Sequence, residues 1–201
     1  DILYLKDATE TEDGGRMVIV LPKQNLSGAQ EESVEFRKWL LSKVQITAII
    51  DLPREGFQPH TGTKTSLVFL KKVKNIPENY PIFMAVSEAV GHDRRGNPLY
   101  KKDASGMNLL DDEGKEVIWN DLPQIYEQWV NYTLSGTVQN VQGDHMPSCF
   151  VVNSKQILED ASRRIDAWYW DPNKNNLAKE LEESIGEEVL EIVRLGDLVV
   201  E

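Results

Sequence analysis

Gly14-Gly15-Arg16-Met17-Val18-Ile19-Val20-Leu21-Pro22 sets the architecture of this chain. Asp13-Gly14-Gly15 is turn chemistry, and Met17–Leu21 is an unbroken apolar run stopped by Pro22. A run that is apolar at every position predicts a strand of a sheet covered on both faces. Downstream, residues 33–43 predict a helix, with Val34, Trp39, Leu40 and Leu41 roughly on one side. Ile46-Thr47-Ala48-Ile49-Ile50 reads as a second buried strand, stopped by Asp51-Leu52-Pro53. A polar loop over 54–65 leads to a third strand, Ser66-Leu67-Val68-Phe69-Leu70. Strand, helix, strand is the crossover unit and predicts a parallel pair. The third strand comes after a loop with no helix, so an antiparallel place beside the second is open to it.

Beyond the linker at 77–81, Ile82–Val86 predicts another strand, 91–103 a polar hairpin, and 148–152 a further strand. Asp121 is placed to cap a helix running to about Tyr132, with Pro123 in its first turn. Helices are expected over 154–164 and 177–185, separated by a Trp/Tyr-rich turn at 166–176. No internal repeat stands out.

The 201 residues carry a formal net charge of −11, and 40% are hydrophobic. That is ordinary globular composition and excludes a disordered tail. No apolar run approaches the ~20 residues of a membrane-spanning helix. The charge is uneven: residues 1–75 sum to +1 and residues 76–201 to −12. So acidic a chain is a poor free-standing DNA-binding module, although a neutral face can still serve within a larger one. A lone cysteine, Cys149, leaves no internal disulfide and no four-cysteine zinc site. A reducing cytoplasm is the expected setting. Asp1 in place of a start methionine, and apolar residues at 198–200, read as cut ends of a longer polypeptide.

Three segments in order resemble one family. They are residues 14–22, the Phe36-Arg37-Lys38-Trp39-Leu40-Leu41 helix, and Ile49-Ile50-Asp51-Leu52-Pro53 with Phe57-Gln58-Pro59 and Thr61-Gly62-Thr63-Lys64-Thr65 running into residues 66–72. Together they resemble the later part of the catalytic domain of N-6 adenine-specific DNA methyltransferases, nearest to the modification subunit of type I restriction systems. Residues 91–96 resemble, more loosely, the segment just after that domain in the same family. Arg164-Ile165-Asp166-Ala167-Trp168-Tyr169-Trp170-Asp171-Pro172, with Leu195-Gly196-Asp197-Leu198, resembles the opening of a target-recognition domain in a specificity subunit. There a tyrosine pair usually stands where this chain has Trp168-Tyr169-Trp170.

The resemblance implies an α/β fold. It would be a partial doubly wound, Rossmann-like sheet represented by its last three strands, plus a mainly helical C-terminal extension. Residues 1–75 would close the methyltransferase domain, 76–147 would form a strand, hairpin and helical extension, and 148–201 would lead to a recognition domain. It further implies a prokaryotic parent that moves a methyl group from S-adenosylmethionine to adenine in DNA, with specificity and restriction subunits or domains as partners and no membrane. The family's catalytic Asn/Asp-Pro-Pro-Phe/Tyr motif and glycine-rich cofactor loop are not found here. Gly14-Gly15 precedes a strand without opening a helix, and Asn97-Pro98-Leu99 lacks the second proline and the aromatic, so it reads as a turn. No catalytic or cofactor-binding residue is therefore expected in this chain, which would be inactive alone. There remains the loop before the last strand, which in the family faces the target base. Phe57 would stack on the base, and Thr61, Thr63 and Lys64 would lie near DNA.

Other groups invite weaker readings. His60, His92 and His145 have no ligand spacing, and Cys149 reads as a buried small hydrophobe. Asp111-Asp112-Glu113-Gly114 reads as an acidic turn, and Arg94-Arg95 as a solvated hairpin tip. Trp168-Tyr169-Trp170 is expected to pack against the 177–185 helix. The alternative to an enzyme fragment is a non-catalytic docking or scaffold module, whose acidic extension would bind another subunit.

Overall fold

The computed structural model describes residues 2–9, 12, 14–139 and 146–174. The expected helix at 177–185 and the Leu195–Leu198 segment lie outside them, as does His145. All five expected strands form, and they share one sheet. They are β1 (Arg16–Pro22), β2 (Gln45–Asp51), β3 (Thr65–Lys71), β4 (Pro81–Val86) and β5 (Ser148–Asn153), in the spatial order β1-β3-β2-β4-β5. β3 runs antiparallel to both β1 and β2. β2 and β4 are parallel, and β5 closes the far side antiparallel to β4.

The crossover from β1 to β2 passes through α1 (Lys23–Ser27) and α2 (Glu31–Lys43). It does make two strands of the same direction, but they are not neighbours. β3 returns through residues 52–64 and inserts between them, pairing with both. The short return reaches only the strand it has just left, which is why β3 is antiparallel.

Helices cover both faces. On one side Leu26, Leu40, Leu41, Ile46, Ile49, Ile82, Met84, Phe150, Val152, Ile157 and Ile165 form the larger core beneath α1, α2, α4 (Ser154–Glu159) and α5 (Ala167–Trp170). On the other, Ala48, Ile50, Phe83, Ala85 and Ile125 pack beneath α3 (Leu122–Ser135). There Trp129 stands edge-on to Phe83 with ring centroids 5.3 Å apart. β4 alternates strictly between the two cores from Ile82 to Val86. β2 does not, because its register shifts between Ile46 and Ala48, so Ile46 and Ile49 share a face.

Several expectations need correction. β1 is not covered on both faces: it is an edge strand, with Val18 54% and Val20 44% exposed. In α2 the buried side chains are Arg37, Leu40 and Leu41, while Trp39 is turned outward. Asp121 precedes α3 but does not cap it with its side chain. Its carboxylate instead accepts the backbone N–H of Glu88 (2.6 Å) and Ala89 (2.9 Å) and the indole N–H of Trp119 (3.2 Å), tying the end of β4 to α3. α4 stops at Glu159, because Asp160 turns the chain by accepting the N–H groups of Ser162 and Arg164.

A repeat is also present. Asp93, Asp103 and Asp111 each open the same turn. The backbone closes from Asp93 to Asn97, Asp103 to Met107 and Asp111 to Lys115, and each carboxylate accepts the N–H groups two and four residues on. Gly96, Gly106 and Gly114 take the positive φ that each turn needs. The motif is Asp-x-x-Gly at unequal spacing, which hides it from a search for a fixed period.

Candidate functional site at the carboxyl edge of the sheet

β1, β2 and β4 point the same way, so Pro22, Asp51 and Val86 end at one edge, where β3 begins at Thr65. In open α/β sheets this edge is where ligands bind. Here it carries the loop over residues 52–64, Lys23, Ser87 and Glu88, and the incoming segment at 164–174.

A buried carboxylate at the edge belongs to Asp51, which in the sequence reads only as a strand stop. Asp51 is buried, and one carboxylate oxygen accepts the Ser66 hydroxyl at 2.6 Å. The other accepts the Lys23 ammonium at 2.9 Å and the Trp168 backbone N–H at 3.0 Å. Lys23 also lies 3.7 Å from the buried carboxylate of Asp166, which Arg164 holds through two bonds of 3.0 and 2.9 Å. The Arg164 guanidinium stacks 4.1 Å from the Tyr169 ring centroid. Burial pulls Arg164 down, but the bond and charge of Asp166 outweigh it and leave this guanidinium above its ordinary value. Every buried charge is thus answered. Asp51, engaged by three donors, is a joint between β2 and α5. A charged residue directly at a strand's carboxyl end, as in Pro22-Lys23 and Ile50-Asp51, was the signal in the sequence.

Phe57 ends a 3-10 turn, Arg54–Phe57, and is 37% exposed. Thr61, Thr63 and Lys64 are exposed on the loop beyond it. The two threonine hydroxyls meet at 3.1 Å. The backbone carbonyl of Lys64 accepts the N–H of Lys23 at 2.8 Å, which fastens the end of the loop to the end of β1. Of these four, only Lys64 lines the cavity that holds Lys23, Asp51, Glu88, Trp168 and Lys174, about 330 Å³ in volume.

The remaining candidates have simpler fates. Asn97 donates its side-chain N–H₂ to Asp93 at 3.0 Å within the first of the repeated turns. Arg94 is exposed and reaches Glu55 at 3.4 Å. Burial pushes the Cys149 thiol up to about 12, with Asp121 and Asp171 adding to it, so it is no nucleophile at neutral pH. Trp170 is half-buried against the larger core and donates its indole N–H to the Arg164 carbonyl at 2.9 Å. Trp168 and Tyr169 are exposed, and the 177–185 helix expected to pack against them lies outside the described residues. Among the described residues no three His, Cys, Asp or Glu side chains gather to hold a metal, and no helix is long and apolar enough to cross a membrane.

An open sheet with helices on both faces and an antiparallel strand inserted next to its end define an open, mixed α/β sheet domain. The chain belongs to the N-6 DNA methylase family, whose sequence model matches residues 2–117, more than half of it. Among solved structures it is similar to a protein described as the modification subunit of a putative type I restriction enzyme from Vibrio vulnificus YJ016. The identity is 15% and the TM-score 0.51, covering 87% of this chain and 31% of that one. It is also similar to a structure concerned with complex assembly and conformational transition of a type I restriction–modification system, at 19% identity and TM-score 0.51, covering 90% and 34%. At such identities the likeness is one of fold. The chain spans about a third of the length of these proteins. No curated protein sequence matches it.

The family's cofactor is S-adenosylmethionine, and the Gly14-Gly15 pair does not offer the cradle that a glycine-rich cofactor loop needs. Gly14 and Gly15 are the glycine pair nearest a strand, and both are packed against backbone. A Cβ on Gly14 would stand 2.3 Å from the Lys72 carbonyl, and one on Gly15 3.0 Å from the Lys6 nitrogen. They allow residues 5–8 to lie against β1 and offer no cradle.

Proposed function

We propose that this chain is the closing part of the catalytic domain of a site-specific adenine DNA methyltransferase from a prokaryotic, cytoplasmic restriction–modification system of type I kind. It completes the sheet of the cofactor-binding domain and walls the target-base pocket. The methyl donor, the catalytic motif and the methyl transfer itself belong to sequence outside this chain, which is inactive alone. Phe57 would stack on the displaced adenine, and Thr61, Thr63 and Lys64 would contact the strand around it. Residues 1–75 serve as the end of the methyltransferase domain, 76–147 as its extension, and 148–201 as the lead into target recognition, where specificity and restriction subunits or domains join.

The observation that carries this reading is the pairing of a β1 edge that no other strand covers among the described residues with the loop at 57–64 on the carboxyl side of the same sheet. An apolar edge strand left bare is an aggregation hazard, and a further strand laid beside β1 removes it. The test is expression of the uninterrupted gene product. A glycine-rich strand–loop–helix followed by Asn-Pro-Pro-Phe or Asn-Pro-Pro-Tyr is expected upstream of Asp1, together with methylation of adenine. In that protein Phe57→Ala should slow single-turnover methylation about tenfold, since stacking on a base contributes ~1–3 kcal/mol. An upstream sequence with neither motif, or an unchanged rate, refutes it.

A further inference from the structure

The cavity at the carboxyl edge has a charge opposite to that of the chain around it. Its lining includes Lys23, Lys64, Lys174 and Arg54 against Asp51, Glu55 and Glu88, in a chain of net charge −11. Two of those carboxylates are engaged: Asp51 by Lys23, Ser66 and the Trp168 N–H, and Glu55 by Arg94. Among the described residues neither Lys64 nor Lys174 forms an ion pair with a carboxylate. Trp168, 47% exposed, gathers two of the cations: the Lys174 ammonium lies 4.8 Å and the Lys23 ammonium 5.4 Å from its ring centroid. The residue itself is fixed by its backbone bond to Asp51.

We propose that this cavity is a phosphate subsite in which Lys64 and Lys174 grip one phosphodiester of a DNA strand, with Trp168 as the positioning residue that holds the ammonium groups of Lys174 and Lys23 side by side. The subsite rests on the reading given under Proposed function. It adds to the loop that carries Phe57 a contact contributed by the segment after β5. Burial is the main reason Lys174 sits below its ordinary lysine value. Asp171 and Glu88 pull it up, and the nearby ammonium groups of Lys23 and Lys64 push it down again. Cations crowded in this way gain from an anion placed between them. Ammonium groups suit a phosphodiester as point charges that need no planar partner. Lys23 is no variant for the test, because it also neutralises Asp51 and Asp166.

The test uses the uninterrupted gene product and a short fluorescein-labelled single-stranded oligodeoxynucleotide, read by anisotropy over a range of salt. Lys64→Gln and Lys174→Gln should each weaken binding several-fold. The double variant should also reduce the slope of log K against log salt by about 0.7, the loss of one phosphate contact to a single strand, and each single variant by part of that. Trp168→Leu should weaken binding with a smaller change in slope. Lys115→Gln, on the third repeated turn, should change neither. Matched urea midpoints show that the variants are folded. Wild-type binding that no cavity variant alters overturns the subsite and leaves the DNA reading standing. Protection of Lys174 from acetylation by inorganic phosphate, without any DNA binding, assigns the cavity to a free phosphate and overturns the proposal. Neither DNA binding nor protection overturns it as well. The methyltransferase reading stands or falls separately, on methylation by the longer gene product.

Discussion

Arg37 has no exposed surface, yet its guanidinium meets only carbonyl oxygens. It donates to Asn25 at 2.9 Å, to Gly28 at 2.8 Å, and twice to Ser162, at 3.1 and 2.7 Å. One side chain therefore ties the end of α1, the body of α2 and the turn after α4. Burial holds it below the ordinary arginine value, with Asp166 and Asp160 pulling the other way. Replacing it by Met orphans three carbonyls, and Arg37→Met should lower the urea-unfolding free energy by about 3 kcal/mol. Arg37→Lys should recover only part, because a single ammonium cannot span that fork. Cys149 offers a second check at this scale. With its thiol pushed up to about 12, it should react with a disulfide reagent at pH 8 far more slowly than the unfolded chain does. The sequence could not show Arg37 inside. Helical spacing pointed to Trp39, and only the carbonyls of Gly28 and Ser162, brought together by the fold, make a charged residue the better occupant.

Among the elements, the three Asp-x-x-Gly turns separate glycines that serve conformation from one that serves packing. A Cβ on Gly106 would meet nothing within 4 Å, so Gly106→Ala should cost only the strain of its φ of +84°, about 1 kcal/mol. Gly14→Ala drives a methyl into the Lys72 carbonyl and should cost clearly more, as thermal unfolding of the two variants would show. Asp160 makes the turn after α4 sensitive to acid. Its burial alone would raise it, but its bonds from the Ser162 hydroxyl and from the N–H groups of Arg164 and Ser162 outweigh this and hold its carboxyl below the ordinary value. A carboxyl depressed in the folded state stabilises at pH above its unfolded value, about 4, and that contribution fades as pH falls further. Asp160→Asn should therefore reduce stability at neutral pH and converge on the wild type in acid, measured as urea midpoints across the range. The strands were legible because buried strands are written as apolar runs. Strand order was not, since β3 lies between β1 and β2 through pairing choices that no local pattern records. The Asp121 carboxylate looked like a helix cap for the same reason: its true partners, Glu88 and Ala89, are distant in sequence.

For the whole molecule, the layers decide what is finished and what is left open. β5 and the segment at 164–174 close one side of the sheet, and among the described residues no strand pairs with the outer side of β1. The candidate loop at 57–64 was legible because its resemblance is continuous in sequence. The cavity beside it was not, since Lys23, Lys64 and Lys174 come from three separate parts of the chain.

The joint between Asp51 and Trp168 also sets a schedule for synthesis. β1, α2, β2 and β3 are complete once Lys71 has been made, so the strands that pair most locally can form while translation continues. The Ser162 carbonyl that answers Arg37 and the Trp168 N–H that answers Asp51 arrive roughly a hundred residues later. At roughly 5–20 residues per second, that leaves an interval on the order of 5–20 s. During that time the nascent chain carries a half-built core with two charges not yet fully answered. This is the window in which a chaperone would find it, and it ends when the ribosome releases residues 160–170.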